Sequence, residues 1–197
     1  MKGRYGVLRG KLTIEERELP STGRLRLVAL ADTHSHPHRD GLNLVAKEKP
    51  AAILHGGDIG DLSVLDDLAL IAPVIAVRGN IDSTTHDLPT TTIIKWTLDH
   101  VVRSTWLLTH IAVRGPRLYR EVVDIAREHQ AQLVICGHSH VPFIGRDKGL
   151  AIFNPGSIGP RRFALPITYG VIDFSLEGID LKHINCETGH PLKVTAA

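Results

Sequence analysis

Short apolar runs that end abruptly in Asp, Asn or His recur along this chain, and that recurrence constrains the fold more than any other feature. RLRLVALAD (24–32), PAAILHGGD (50–58) and PVIAVRGN (73–80) are each about the length of a strand and apolar on both faces. Such runs belong in a parallel sheet covered on both sides, where neither face is left in water. Between them, NLVAKEK (43–49) and DLSVLDDLALIA (61–72) space their apolar residues at helical intervals, with Asp61 or Ser63 as the expected cap. The segment therefore reads as βαβαβ. TTTIIKWTLD and VVRSTWLLTH predict an antiparallel pair turning at Asp99-His100, LYREVVDIAREHQ a helix, and QLVICG a further strand. FIGRD, LAIFN, ITYGVIDFS and IDLKHIN, separated by Gly, Pro and Asp, read as antiparallel strands. The expected class is α/β, a mixed sheet or two packed sheets with helices outside.

At 197 residues, 43% apolar and 22% charged, the chain can bury one substantial core. Residues 1–24 differ in composition, with six Lys/Arg against three Glu, and are expected to form an N-terminal extension with an edge strand from Tyr5 to Ile14. Residues 25–197 are expected to form a single domain. No stretch approaches the roughly 20 apolar residues of a membrane span, and the first twenty residues lack the apolar core of a secretory signal. Cys136 and Cys186 form no CxxC and suit a reducing compartment, so a cytoplasmic protein without a membrane partner is expected. A net charge of +2 supplies no clustered basic excess, and a nucleic-acid partner is not expected.

The chemistry collects where the apolar runs stop. Asp32 and His34 follow the first, Asp58 the second, Asn80 the third, His110 follows TWLLT, and His138 and His140 follow LVICG. In open α/β sheets ligands bind beyond the carboxyl ends of the strands, so residues distant in sequence can meet at one rim. In Asp32-x-His34 and His138-x-His140 the members are two apart, and continuation of the strand would send both side chains to one side. Two carboxylates, an amide and four imidazoles without a thiolate suit Mn, Fe, Zn, Co or Ni in a catalytic site with open positions. Seven donors exceed the needs of one ion, so two divalent ions sharing a carboxylate are expected. Two such ions bring +4 against −2 from Asp32 and Asp58, which favours an anionic phosphate and hydrolysis of a phosphoester.

Taken together, D-T-H (32–34), G-D (57–58), G-N-x-D (79–82), the strand-end His110 and G-H-S-H (137–140) resemble the calcineurin-like metallophosphoesterases in order and spacing. The resemblance spans about residues 25–176. The short chain and FNPGSIGPRR (153–162) look like the small YfcE-like phosphodiesterases, which are related to the retromer subunit Vps29. It implies a four-layer αββα sandwich of two packed mixed sheets flanked by helices. It also implies that Asp32, His34 and His140 hold one ion, that Asn80, His110 and His138 hold the other, and that Asp58 bridges. Manganese is the favoured metal, a metal-bridging hydroxide the nucleophile, and a small phosphodiester the substrate; a homo-oligomer is allowed. The alternative is a non-enzymatic metal-containing scaffold like Vps29, a branch that has lost a site histidine, whereas all four are present here.

Two positions depart from the pattern. Ile81 stands where many members place a leaving-group histidine and the YfcE-like group commonly a cysteine, so no leaving-group acid is assigned. Ile111 stands where the relatives usually have glycine. Asp82 is expected to support catalysis by positioning Asn80 or a ligand imidazole. Asn154, Arg161 and His36 are the candidates for substrate contact, with Arg162, His38 and His86 behind them. Cys136 is expected to be apolar filler.

Overall fold

The computed structural model describes residues 8, 10–82 and 87–192. Among them the amino-terminal half contains β1 (Leu12–Glu18), β2 (Arg24–Leu30), α1 (Gly41–Lys47), β3 (Ala52–His55), α2 (Ser63–Ala69), β4 (Val74–Ala76) and β5 (Thr91–Leu98). There follow β6 (Val101–Thr109), the two-residue strands β7 (Val113–Arg114) and β8 (Arg117–Leu118), α3 (Arg120–Glu128) and β9 (Leu133–Ile135). The chain closes with β10 (Phe143–Asp147), β11 (Leu150–Asn154), β12 (Thr168–Ser175) and β13 (Gly178–Asn185). No helix among the described residues is long and apolar enough to cross a membrane.

The strands form two mixed sheets, ordered β1-β5-β6-β9-β11-β10 and β13-β12-β2-β3-β4, with β7 and β8 as a small ribbon. The apolar runs behave as their composition dictates. β2, β3 and β4 pair in parallel, joined by α1 and α2 as crossovers. Alternation along each strand divides its side chains between two layers. Leu27 and Ala29 of β2 face the other sheet and pack with Leu54, Trp106, Leu108, Leu133, Phe153 and Ile172. Val28 and Leu30 face outward onto Val45 of α1 and Val64 and Leu68 of α2. On the far side Ile93, Leu107, Val134 and Ile152 pack against Val122, Val123 and Ala126 of α3. These three apolar layers make the αββα sandwich.

Three details differ from the sequence reading. The edge strand runs from Leu12 to Glu18, parallel to β5, and residues 1–7 and 9 lie outside the described set. Of the last four strands, β10–β11 and β12–β13 are antiparallel pairs, but β11 also runs parallel to β9. The residue that caps α2 by position is Leu62. Asp61 precedes it, and its carboxylate accepts the Ser63 N–H at 2.9 Å.

Candidate metal centre

Each of the seven expected donors lies in a loop just past the carboxyl end of a strand: β2 for Asp32 and His34, β3 for Asp58, β4 for Asn80, β6 for His110, and β9 for His138 and His140. The two sheets present these ends at a common rim. Local backbone geometry there departs from the expected continuation of a strand. Asp32, His34, Asp58, His138 and His140 have φ of 57°, 46°, 53°, 69° and 59°, in the left-handed region that side chains other than glycine seldom adopt. The two-residue alternation therefore stops at the strand ends. Asp32 and His34 join one group of donors, while His138 and His140, equally spaced, part to different groups. Strain of this kind, gathered on five polar residues, is characteristic of sites whose surroundings over-determine them.

Close approach of neighbouring backbone is the second local requirement. A Cβ on Gly79 would lie 2.1 Å from Asp58 Oδ1, and one on Gly137 would lie 2.8 Å from Ala31 Cβ and 3.0 Å from Asp32 Oδ2. Glycine is needed at both because the loops pack directly on the two carboxylates. Ile111 is outside the set of positive-φ residues, so the β-branched side chain fits there without strain.

The donors form two groups, Asp32–His34–His140 and Asp58–His110–His138. In the first, His34 Nε2 and His140 Nε2 are 3.3 Å apart, and His140 Nε2 is 3.4 Å from Asp32 Oδ1. In the second, Asn80 Oδ1 lies 3.1 Å from His110 Nε2 and 2.9 Å from His138 Nδ1. Asp58 stands between the groups, with Oδ1 3.2 Å from His110 Nε2 and Oδ2 3.9 Å from His34 Nε2. Backbone donors hold both carboxylates: the His138 N–H reaches Asp32 Oδ2 at 3.0 Å and the Ile81 N–H reaches Asp58 Oδ1 at 3.1 Å.

The donor chemistry fits bound cations. His110 Nδ1–H donates to the Gly56 carbonyl at 2.8 Å, which leaves a lone pair on Nε2. That lone pair faces two oxygens, Asp58 Oδ1 and Asn80 Oδ1. Acceptors aimed at one another repel unless positive charge lies among them, either a proton on the ring or a metal ion. The acidities agree. Burial pushes the Asp32 carboxyl up to about 7, helped by the Asp58 charge and opposed by His110. Burial also pushes Asp58 up, but the hydrogen bond and charge of His110 prevail and hold it at about 2. Burial opposes charge on His110, yet its bond to Asp58 and the nearby carboxylates raise its pKa. Burial, the Arg162 charge and His34 together bring His140 down to about 4, and burial lowers His34 and His138. His34, His138 and His140 thus favour the neutral form beside the ionised Asp58, while Asp32 and His110 favour a proton, the positive charge that a divalent ion would supply in its place.

The sequence profile of the calcineurin-like phosphoesterase superfamily domain matches residues 25–177. The chain belongs to this superfamily. Among relatives, a probable metallophosphoesterase of Methanocaldococcus jannaschii is 28% identical over 138 residues, 68% of this chain and 69% of its own. Phosphodiesterase YfcE of Escherichia coli K12 is 28% identical over 173 residues, 84% of this chain and 83% of its own. A crystal structure of a single mutant of Vps29 from Entamoeba histolytica superposes with a TM-score of 0.69 at 19% identity, covering 85% of this chain and 96% of that one. Within the superfamily these likenesses support the YfcE/Vps29-like group, YfcE by sequence and Vps29 by fold.

Within this calcineurin-like site the remaining candidates separate by what they touch. Asp82 is 6% exposed, and its carboxylate accepts the N–H groups of Ile59 and Gly60 at 2.9 Å and of Gly79 at 2.6 Å. It ties together the loops that carry Asp58 and Asn80. Asn154, expected at the substrate, is 1% exposed, and its amide donates to the Gly137 carbonyl and Ser139 Oγ while accepting the Gly156 N–H. It braces the loop of His138 from beneath. Arg161 turns away from the donors, to the Leu165 carbonyl and a 2.5 Å ion pair with Glu187. Its neighbour Arg162 turns in, with Nη2 3.3 Å from His34 Nε2. His36 is exposed, and His86 lies outside the described residues. Cys136 is fully buried in the layer under α3, and burial pushes its thiol up to about 12. From the sequence His55 reads as a structural or exposed residue, without a tie to the donors. It is buried, and its Nδ1 accepts the Gly57 N–H beside Asp58. Its place at the end of AILH, where the other apolar runs also stop in polar residues, was the available signal.

Proposed function

We propose that this chain is a metal-dependent phosphodiesterase that uses two divalent ions of the kind that mixed oxygen and imidazole donors accept (Mn, Fe, Zn, Co or Ni), manganese being favoured by the family resemblance. Asp32, His34 and His140 would hold one ion and Asn80, His110 and His138 the other. The carrying observation is the placement of Asp58, whose two oxygens face different donor groups as a shared carboxylate must. When bound, such a pair of ions polarises the phosphoryl oxygens and acidifies water. The chain's own residues do the rest. Asp82 sets the loops of Asp58 and Asn80, the Gly56 carbonyl fixes the His110 tautomer, and Arg162 supplies a guanidinium for the phosphoryl oxygens on the side of His34. The exposed side of the site is at Asn80 and His138, where a small phosphoester can enter. Ile81 offers no proton to the departing oxygen, so esters with stable leaving groups are the better substrates. The likeness to Vps29 fits a non-enzymatic scaffold as well, and one assay separates the readings. Protein stripped of metal and reloaded with Mn²⁺, Ni²⁺ or Zn²⁺ should cleave bis(p-nitrophenyl) phosphate faster than p-nitrophenyl phosphate. Asn80→Ala and His138→Ala should each lower the rate on the order of 100-fold or more, at least the effect of losing an outer partner of a metal ligand. Wild-type turnover no greater than that of these variants would leave the scaffold reading in place.

A further inference from the structure

The loop between Gly159 and β12 presents an aromatic ring where local backbone rules call for glycine. The Leu165 N–H donates to the Arg162 carbonyl at 3.2 Å, closing a turn with Phe163 and Ala164 at its centre. Phe163 has φ 53° and Ala164 is outside the positive-φ set, so only the first central position is left-handed. Tight turns of that form reserve the position for residues such as Gly, Asn or Asp. Phe163 is also 92% exposed, the most exposed of the large apolar residues among the described ones. A ring that is both strained and solvated gives the fold nothing, and observed strain of this kind points toward function. Its location says which function. Residue 162 on one side of it reaches His34 of the first donor group, and Gly159 at the start of the loop packs against the Asp32 carbonyl. Two further exposed apolar residues, Ile81 at 49% and Val141 at 43%, directly follow Asn80 and His140. The polar centre thus carries apolar residues on the loops around it.

We infer that Phe163 is a specificity-determining residue that stacks on a planar aromatic group in the organic part of the phosphoester, an aryl ring or a nucleobase, while Arg162 and the metal centre hold the phosphate. The inference rests on the phosphoesterase reading above. Stacking of one base on one aromatic side chain changes affinity about 5- to 150-fold, and it tolerates different rings because each has a π-face. The test is calorimetric titration of the metal-loaded protein with phenyl phosphate and ethyl phosphate, which share an anchor and differ in the ring. Wild type should bind phenyl phosphate roughly tenfold more tightly. Phe163→Ala should bring the two affinities within about twofold by weakening phenyl phosphate alone, and Phe163→Trp should keep the preference. Phe163→Gly, which relieves the left-handed strain, should raise the unfolding temperature while losing the preference, an outcome that a purely structural role would not produce. Equal affinities in wild type, or a preference that survives Phe163→Ala, overturns the inference. Absence of phosphodiester turnover with the aromatic preference intact would instead overturn the catalytic reading.

Discussion

His55 shows how a single uncharged ring can set two loops at once. It ends β3 without solvent contact, and because Nδ1 accepts the Gly57 N–H at 3.1 Å, its proton resides on Nε2. Nε2 then donates to Thr33 Oγ1 at 3.1 Å, and that hydroxyl donates to the Ile59 carbonyl at 2.9 Å. Thr33 adjoins Asp32 and Gly57 adjoins Asp58, so the chain of bonds holds the backbone beside both carboxylates. Burial brings the His55 pKa down to about 3 from 6.5. Below pH 6.5 the unfolded chain takes up a proton that the folded ring refuses until about pH 3, so stability falls as the pH drops through that window. The slope is about 1.4 kcal/mol per pH unit. Between pH 7 and pH 5, His55→Gln should lose about 2 kcal/mol less stability than wild type, measured by urea unfolding of the metal-free proteins at the two pH values. Equal losses would remove His55 from the acid response. At this scale the site was legible where identity carries the information, since seven donor side chains stand at strand ends. It was not legible where identity is shared. Arg161 and Arg162 have the same chemistry, and the turn closed at Leu165 decides which of them faces His34.

Among the elements, the hairpin of β5 and β6 was read correctly because its signal is local. Both central residues of the turn, Asp99 (φ 52°) and His100 (φ 62°), are left-handed, as a two-residue hairpin requires. Asp meets that demand tolerably and histidine less well. His100→Gly should therefore stabilise the protein by up to about 1 kcal/mol, the relief of strain outweighing the added freedom of the unfolded chain. The Asp99 N–H would keep its 2.8 Å bond to Glu18 Oε1. For a chain of this size the gain amounts to about 2–4 °C in calorimetric unfolding temperature. A decrease would mean that the imidazole itself supports the turn. Strands β2, β3, β4 and β9 were equally legible, since each is apolar on both faces and bounded by turn residues. The partner of β11 was not. Ala151–Phe153 pairs with Leu133–Ile135 across intervening chain, and nothing in LAIFN distinguishes a parallel partner from an antiparallel one. The ribbon of β7 and β8, two residues each, is too short to show a period. The start of α2 was displaced by one residue because Asp61 supports the first turn from outside it.

At the scale of the whole molecule, the candidate metal centre is also a fastening between the two sheets. Asp32 and His34 leave the five-stranded sheet, and their partner His140 leaves the six-stranded one. Asp58 and Asn80 likewise belong to the first sheet, and His110 and His138 to the second. An ion in either group would join loops from both sheets at the rim, beyond the apolar layer of Trp106, Phe153 and Leu54 that packs them together. Without cations the same rim concentrates opposed lone pairs and carboxylates, so binding should stabilise the fold by mass action. At a free ion concentration 100 times the Kd, one site contributes about 2.7 kcal/mol, which corresponds to roughly 5–10 °C in a chain of this size. Calorimetric unfolding in EDTA and in a series of Mn²⁺ concentrations should show the temperature climbing with the logarithm of free ion. Asp58→Asn should flatten that climb more than His34→Ala, because it weakens a ligand shared by both ions. If the two variants respond alike, Asp58 serves one ion alone. The two donor groups would then be separate sites, and the case for a phosphate held between paired ions would fail with them.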